Sequence, residues 1–211
     1  MSPKAILFDA YGTLFDVHSV VDDAALSQLW RRTQIELTWR CALMERYEDF
    51  WQITQRALRI AVNQLSITHT DTQLERLMRA WLSPTVFEDA RRALDQLRRL
   101  PLGILSNGTP AMLEAAILAG GLESHFAHVI SVDSIRTFKP SPRVYALGAE
   151  TLNLPPAEIL FVSSNLWDVE GAKAFGYPVC WCNRFQGDAE AAAFPPDFTV
   201  TALDHLPERL A

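Results

Sequence analysis

The sequence predicts an α/β fold with a parallel sheet, and three observations carry that prediction. Short apolar runs at Ala5 to Phe8, Leu102 to Leu105, Val129 to Val132, Ile159 to Val162 and Pro178 to Cys182 are too brief for helices, and stretches of helical character separate them. Strands that alternate with helices form parallel sheets, and strands buried on both faces read as unbroken apolar runs. Polar clusters follow the first, second and fourth runs: Asp9 with Gly12 and Thr13, then Ser106-Asn107-Gly108, then Ser163-Ser164-Asn165. Ligands of open α/β sheets bind beyond the carboxyl ends of the strands, so these clusters are expected to meet along one edge.

Each element has a local cause. The first strand stops at Asp9, where Gly12 permits a sharp turn and Thr13 brings a hydroxyl within reach of the carboxylate. From about Asp22 to Val62 apolar residues recur at spacings of three and four (Leu26, Leu29, Trp30, then Leu43, Tyr47, Phe50, Trp51), the stripe of amphipathic helices. Thr70-Asp71 caps a further helix through Trp81 and Leu82, which Ser83-Pro84 ends. Residues 16–87 thus carry no strand signal, and they are expected to form an inserted helical module in an α/β core made of residues 1–15 and 88–211. The alternating pattern resumes with a helix from Glu88 to Leu100. Pro110 opens the next helix and Gly120-Gly121 stops it, Ser141-Pro142 opens another to about Leu152, and a last one ends at Gly176. Phe198 to Val200 is a candidate sixth strand, and the Ala-rich Glu190 to Ala193 reads as a loop or helical turn.

Composition narrows the function classes. A chain of 211 residues, 49% apolar and 21% charged, can bury one sizeable core. Its net charge of -6 offers no general attraction to nucleic acid or an anionic membrane, though a local pocket for a small anion is compatible with it. No apolar run reaches membrane-spanning length and no basic-then-apolar leader opens the chain, so a soluble cytoplasmic protein is expected. Cys180 and Cys182 alternate on one face of a strand, which suits buried reduced thiols, and His125 and His128 have no further ligand at metal spacing. No metal and no cofactor are expected.

Taken singly, the polar clusters have bland readings: Asp9 as a loop cap, Ser163-Ser164-Asn165 as a helix cap, Lys139 before Pro140 as a surface residue, Arg31 as one solvated arginine beside Arg32, Trp167 and Phe50 as plain core. Asp16 lies beyond the turn and reads as the start of a linker. Their order changes the weighing. Asp9 with Thr13, Ser106-Asn107, Lys139-Pro140, and Ser163-Ser164-Asn165 with Trp167 and Asp168 follow one another as four motifs. This set resembles the haloacid dehalogenase superfamily over essentially the whole chain. The segments Phe8 to Leu14, Leu105 to Gly108 and Val162 to Asp168 look more narrowly like the L-2-haloacid dehalogenases.

The resemblance implies a Rossmann-like core with a helical cap, a homodimer, and hydrolysis of short 2-haloacids with release of halide. It places Asp9 as nucleophile, Lys139 as the cation that offsets repulsion between Asp9 and the substrate carboxylate, Asp168 as base for ester hydrolysis, and Thr13, Ser163 and Asn165 as positioning groups. It puts the substrate carboxylate on Ser106 and the backbone amides of Ala10 and Tyr11. Ile35, Phe50 and Trp167 form the apolar wall, Arg31, Asn107 and Trp167 meet the halide, and Tyr145 stands near the site. Most superfamily members are magnesium phosphatases with a second Asp two residues after the nucleophile; here that place holds Tyr11, and Ser164-Asn165 replaces an acidic dipeptide. Magnesium needs carboxylate oxygens, so these replacements speak against it. Phosphatase activity, or small-anion binding without catalysis, are the alternatives the motifs leave open.

Overall fold

The computed structural model describes residues 2–188 and 192–210; positions 190 and 191 of the Ala-rich stretch lie outside them. Six parallel strands form the sheet: β1 (Ala5–Phe8), β4 (Leu102–Ser106), β5 (His128–Ser131), β6 (Ile159–Ser163), β7 (Val179–Cys182) and β8 (Phe198–Val200). Their order is β5-β4-β1-β6-β7-β8. The chain thus builds outward from β1 on one side, returns, and builds outward on the other. The strand order reverses between β4 and β6 with β1 central, which is the topological switch point where such sheets place ligands. In register, Phe8 pairs with Ile104 on one side and Val162 on the other, so Asp9, Ser106 and Ser163 emerge together.

Helices α4 (Glu88–Leu97), α5 (Pro110–Gly120), α6 (Pro142–Leu152), α7 (Leu166–Phe175) and α8 (Leu206–Arg209) follow the core strands. Their ends match their residues. Thr109 accepts from the Met112 N–H with Pro110 in the first turn, while Gly121 and Gly176 close α5 and α7 in left-handed conformation at φ 62° and 113°. The residues of β1 and β6 are buried, as are those of β7.

Between β1 and α4 lie α1 (Ala24–Leu43), α2 (Phe50–Gln64) and α3 (Asp71–Ala80). Thr70 and Gln73 form a reciprocal capping box at the start of α3. This stretch, expected to hold no strand, also contains a strand pair at its two ends. Phe15–Asp16 (β2) and Thr85–Val86 (β3) pair antiparallel, so the two connections to the helical stretch run side by side. Two-residue strands are too short to show a periodicity. Asp16 caps the turn that follows, accepting from the His18 N–H, in keeping with its reading as a linker residue.

α1 and α2 are tied through their interior. The Trp30 indole N–H donates to the Thr54 carbonyl at 2.8 Å, and Gln34 Nε2 donates to Thr54 Oγ1 at 2.6 Å. No helix of the described residues is long and apolar enough to cross a membrane. Cys41, Cys180 and Cys182 are buried free thiols.

Candidate active site

The loop after β1 is set by its backbone. The Asp9 N–H continues the ladder by donating to the Val162 carbonyl at 2.9 Å, and the Ala10 carbonyl then accepts from the N–H groups of Leu14 and Phe15 at 2.9 and 3.0 Å. Gly12 sits at φ 93°, a region L side chains rarely adopt, and a Cβ there would face the Asn165 amide at 3.5 Å.

This turn leaves the Asp9 carboxylate only 5% exposed and fully engaged. Its Oδ1 accepts from Lys139 Nζ at 3.0 Å, and its Oδ2 from Thr13 Oγ1 at 3.0 Å and Asn165 Nδ2 at 2.8 Å. Thr13 is fixed in that role because its Oγ1 itself accepts from the Ser164 N–H at 2.9 Å. The Ser163 hydroxyl accepts from the Asn165 N–H at 3.1 Å and so shapes the loop that aims the Asn165 amide.

Lys139 is entirely buried, and its N–H donates to Asn107 Oδ1 at 3.0 Å, which ties the loops after β4 and β5 together. Its Nζ bridges Asp9 and Asp168, with 2.9 Å to Asp168 Oδ2. Burial acts to discharge this ammonium, but Asp168 and Asp9 outweigh it and hold its pKa above the ordinary lysine value. Burial raises the Asp168 carboxyl to about 6 against the opposing pull of Lys139. The Tyr145 hydroxyl donates to Asp168 Oδ1 at 2.8 Å, and burial followed by the nearby Asp168 charge keeps that phenol neutral. A lone buried charge is very costly, so the stability of this cluster depends on every oxygen being met by a donor.

The side chains suit an ammonium here better than a divalent cation. A cation that took both carboxylates would have to displace Lys139 Nζ, which already bridges them. Tyr11 turns its ring into the helices, its centroid 6.1 Å from that of Phe50 and 5.4 Å from that of Trp81, while its carbonyl is taken up by the Arg31 and Asn165 side-chain N–H groups. Its hydroxyl is buried without a partner, and burial raises its pKa. Among the described residues no three His, Cys, Asp or Glu side chains gather as a metal site.

The other wall comes from α1. Arg31 donates through Nη2 to the Tyr11 carbonyl at 3.1 Å and through Nη1 to Gln34 Oε1 at 2.7 Å. Burial lowers its pKa, and Asp9 opposes that shift. A cavity of about 480 Å³ opens here, lined by Arg31, Ile35, Trp39, Asn165 and Trp167 among others. It joins the Arg31 guanidinium and the Asn165 amide that holds Asp9 to the apolar faces of Ile35, Trp39 and Trp167, with Arg32 and Glu36 at its margin.

A model of the haloacid dehalogenase-like hydrolases matches residues 3–176 of this chain. The chain belongs to that family. It is 43% identical to an (S)-2-haloacid dehalogenase of Pseudomonas sp. (strain YL), over 95% of this chain and 91% of that protein. It is 42% identical to haloacetate dehalogenase H-2 of Moraxella sp. (strain B), over 99% and 98%. Among solved structures, the L-2-haloacid dehalogenase of Xanthobacter autotrophicus with chloropropionic acid covalently bound superposes with a TM-score of 0.89 at 40% identity, covering 99% of this chain and 98% of that one.

Within this family member the motif residues meet as follows. Asp9, Thr13, Lys139, Asn165 and Asp168 form one continuous hydrogen-bonded cluster with Tyr145 beneath it, while Arg31, Ile35, Asn165 and Trp167 share the cavity. Ser106 is buried with its Oγ accepting from the Gly108 N–H at 3.1 Å, which leaves its own O–H as a donor. Phe50 packs against Tyr11 and Phe138. Sequence reasoning passed over Gln34, Trp39 and Arg184. Gln34 was open to discovery, since it lies three residues from Arg31 on the same helix. Arg184 donates to the Thr13 carbonyl at 3.1 Å and pairs with Asp89, contacts across most of the chain that no local pattern announces.

Proposed function

We propose that this protein hydrolyses short L-2-haloacids to D-2-hydroxyacids, by way of an ester on Asp9 and without a metal. The observation that carries the reading is the Asp9–Lys139–Asp168 bridge: one buried ammonium serving two carboxylates, one already positioned by Thr13 and Asn165. A carboxylate can attack an sp3 carbon without a general base. The substrate is also an anion, and Lys139 offsets the repulsion between the two. The substrate carboxylate would lie on the Ser106 hydroxyl and the Ala10 and Tyr11 amides, with its alkyl group toward Ile35, Phe50 and Trp167.

In the first step an Asp9 oxygen bonds to C2 from the face opposite the halogen, the carbon–halogen bond breaks, and C2 inverts. The halide departs with the bonding pair toward Arg31, Asn107 and Trp167. Guanidinium is weakly hydrated and suits an anion beside apolar walls. In the second step water attacks the ester carbonyl carbon of Asp9, giving a proton to Asp168; the bond between that carbon and the substrate oxygen then breaks, the departing alkoxide takes the proton back from Asp168, and the hydroxyacid leaves as Asp9 sheds its remaining proton and becomes a carboxylate again. A carboxyl raised to about 6 is ionised at neutral pH and still basic enough for this work. Tyr145 belongs to this account as the donor that orients Asp168.

The helical stretch is part of the proposal as a cap, residues 16–87, closing over a core of residues 1–15 and 88–211, and so is a cytoplasmic homodimer. The near-complete burial of Asp9 supports a cap that must shift to admit substrate. The test is halide release from both 2-chloropropionate enantiomers and from chloro-, bromo- and fluoroacetate, with chelator, alongside p-nitrophenyl phosphate with magnesium. Release from L-2-chloropropionate should be unchanged by chelator, and the phosphate ester should remain intact. Magnesium-dependent phosphate release without halide release would overturn the reading.

A further inference from the structure

We infer that Trp39, paired with Trp167, sets the length of the substrate's alkyl chain by walling off a second, unused apolar space. The inference rests on the 2-haloacid reading above. Two cavities flank this pair. The inner one, on the Asn165 side, has about 480 Å³ and is lined by Arg31, Arg32, Glu36 and Asn165 beside Ile35. The outer one, of about 710 Å³, is a groove whose walls include Leu43, Pro140, Pro142, Ala174 and Phe194. Trp39 and Trp167 are the residues that line both. Their rings meet edge to face, with centroids 5.8 Å apart and planes at 78°. The two indoles therefore form a partition, with the Asn165 side chain that holds Asp9 on one side and an alkyl-compatible surface on the other.

The partition spans two elements. Trp39 stands on α1 and Trp167 on α7, beside Asp168 and two residues from Asn165. Trp167 cannot be altered without disturbing that catalytic loop, whereas Trp39 is two turns along α1 from Arg31. Nothing polar holds the Trp39 ring: its indole N–H is buried with no partner. An unmade buried hydrogen bond disfavours the position it occupies, so ring contact and shape alone keep the wall closed. A methyl or ethyl group beyond C2 fits the inner cavity against Ile35. A longer chain meets the indole face of Trp39 and is excluded by it. With that indole removed the inner cavity becomes continuous with the groove, and the added methylenes gain an apolar surface.

One methylene in an apolar pocket changes specificity by about 10–200-fold, so several should give a signal well above error. The experiment compares halide release from L-2-chloropropionate and racemic 2-bromohexanoate in the unaltered protein, Trp39→Phe and Trp39→Ala. The ratio of kcat/KM for the six-carbon over the three-carbon acid should rise by about tenfold or more in Trp39→Ala, with Trp39→Phe in between. Adding Leu43→Glu to Trp39→Ala places a carboxylate in the groove and should abolish that gain. Trp39→Leu serves the same comparison if the alanine variant does not fold. An unchanged ratio, or an unaltered protein that already handles both acids equally, would overturn the partition. A gain that survives Leu43→Glu would show that the chain does not enter this groove. Failure of the unaltered protein to release halide from any of these acids would instead overturn the function on which the inference rests.

Discussion

The two walls of the candidate site are built on different principles. On the sheet side, Asp9, Lys139 and Asp168 are buried and every charged atom is paired; on the helical side, Arg31 reaches the site through one bond to a backbone carbonyl and faces a cavity. A strand end fixes Asp9, the first turn of α7 fixes Asp168, and Lys139 is held by its backbone bond to Asn107. Arg31, by contrast, stands on α1. Under the proposed function reactivity would lie on the sheet side, where preorganised charge is effective, and Arg31 of the helical side would share reception of the leaving group with Asn107 and Trp167.

The largest expected effect breaks the sheet side. Lys139→Met leaves two buried carboxylates facing each other, and breaking such a pair costs about 3–5 kcal/mol of stability. Denaturant unfolding should show that loss, and halide release should fall by about 10³-fold or more. A stable, active Lys139→Met variant would erase the contrast between the walls. Arg31→Ala should be the milder case. Turnover should drop by about 10²–10³-fold, on the scale of a lost transition-state donor, while stability changes by less than about 1 kcal/mol. Arg32→Ala is the control, and equal losses in the two would show the wrong residue had been placed beside the halide.

A smaller effect sharpens the comparison through pH. The Asp168 carboxyl is raised by burial to about 6 from an ordinary 3.8. Between those values the native protein holds a proton that the unfolded chain has lost, so this group's contribution to stability declines as pH rises through that window. Activity runs the opposite way, because the base must be ionised. The rate of ester hydrolysis should therefore show an acid limb near pH 6, and Tyr145→Phe, which removes a donor to the ionised form, should move the limb upward. A limb that Tyr145→Phe leaves in place would detach Asp168 from the titration.

Legibility in the sequence followed the same division. Strand and helix ends were readable because they are local: Thr70, Pro110, Gly121 and Gly176 each act within a turn of the chain. Asp9 and the Ser163 to Asn165 loop were readable because they follow directly on strands, and Asp168 because it lies in the first turn of a helix, whereas Lys139 stands in a loop and was picked out only by the family resemblance. The β2–β3 pair was not readable, since its two short strands are joined only by closure of the whole helical stretch. Trp39 was hidden for a related reason. On α1 it looks like one more apolar position, and only the approach of α7 makes it half of a partition. Arg184 likewise acquires its contacts with Asp89 and Thr13 solely by folding.

The central claim is that Asp9 bonds to the substrate carbon, and the fate of one oxygen atom tests it most directly. Direct attack of water on C2 and attack by Asp9 give the same inverted hydroxyacid, so stereochemistry cannot separate them. With enzyme in excess over L-2-chloropropionate in oxygen-18 water, a single turnover should yield lactate unlabelled at C2, and the peptide containing Asp9 should gain the label by mass spectrometry. Lactate labelled at C2 in that first turnover, with no label in the peptide, would contradict the ester on Asp9 and reduce the residue to a base.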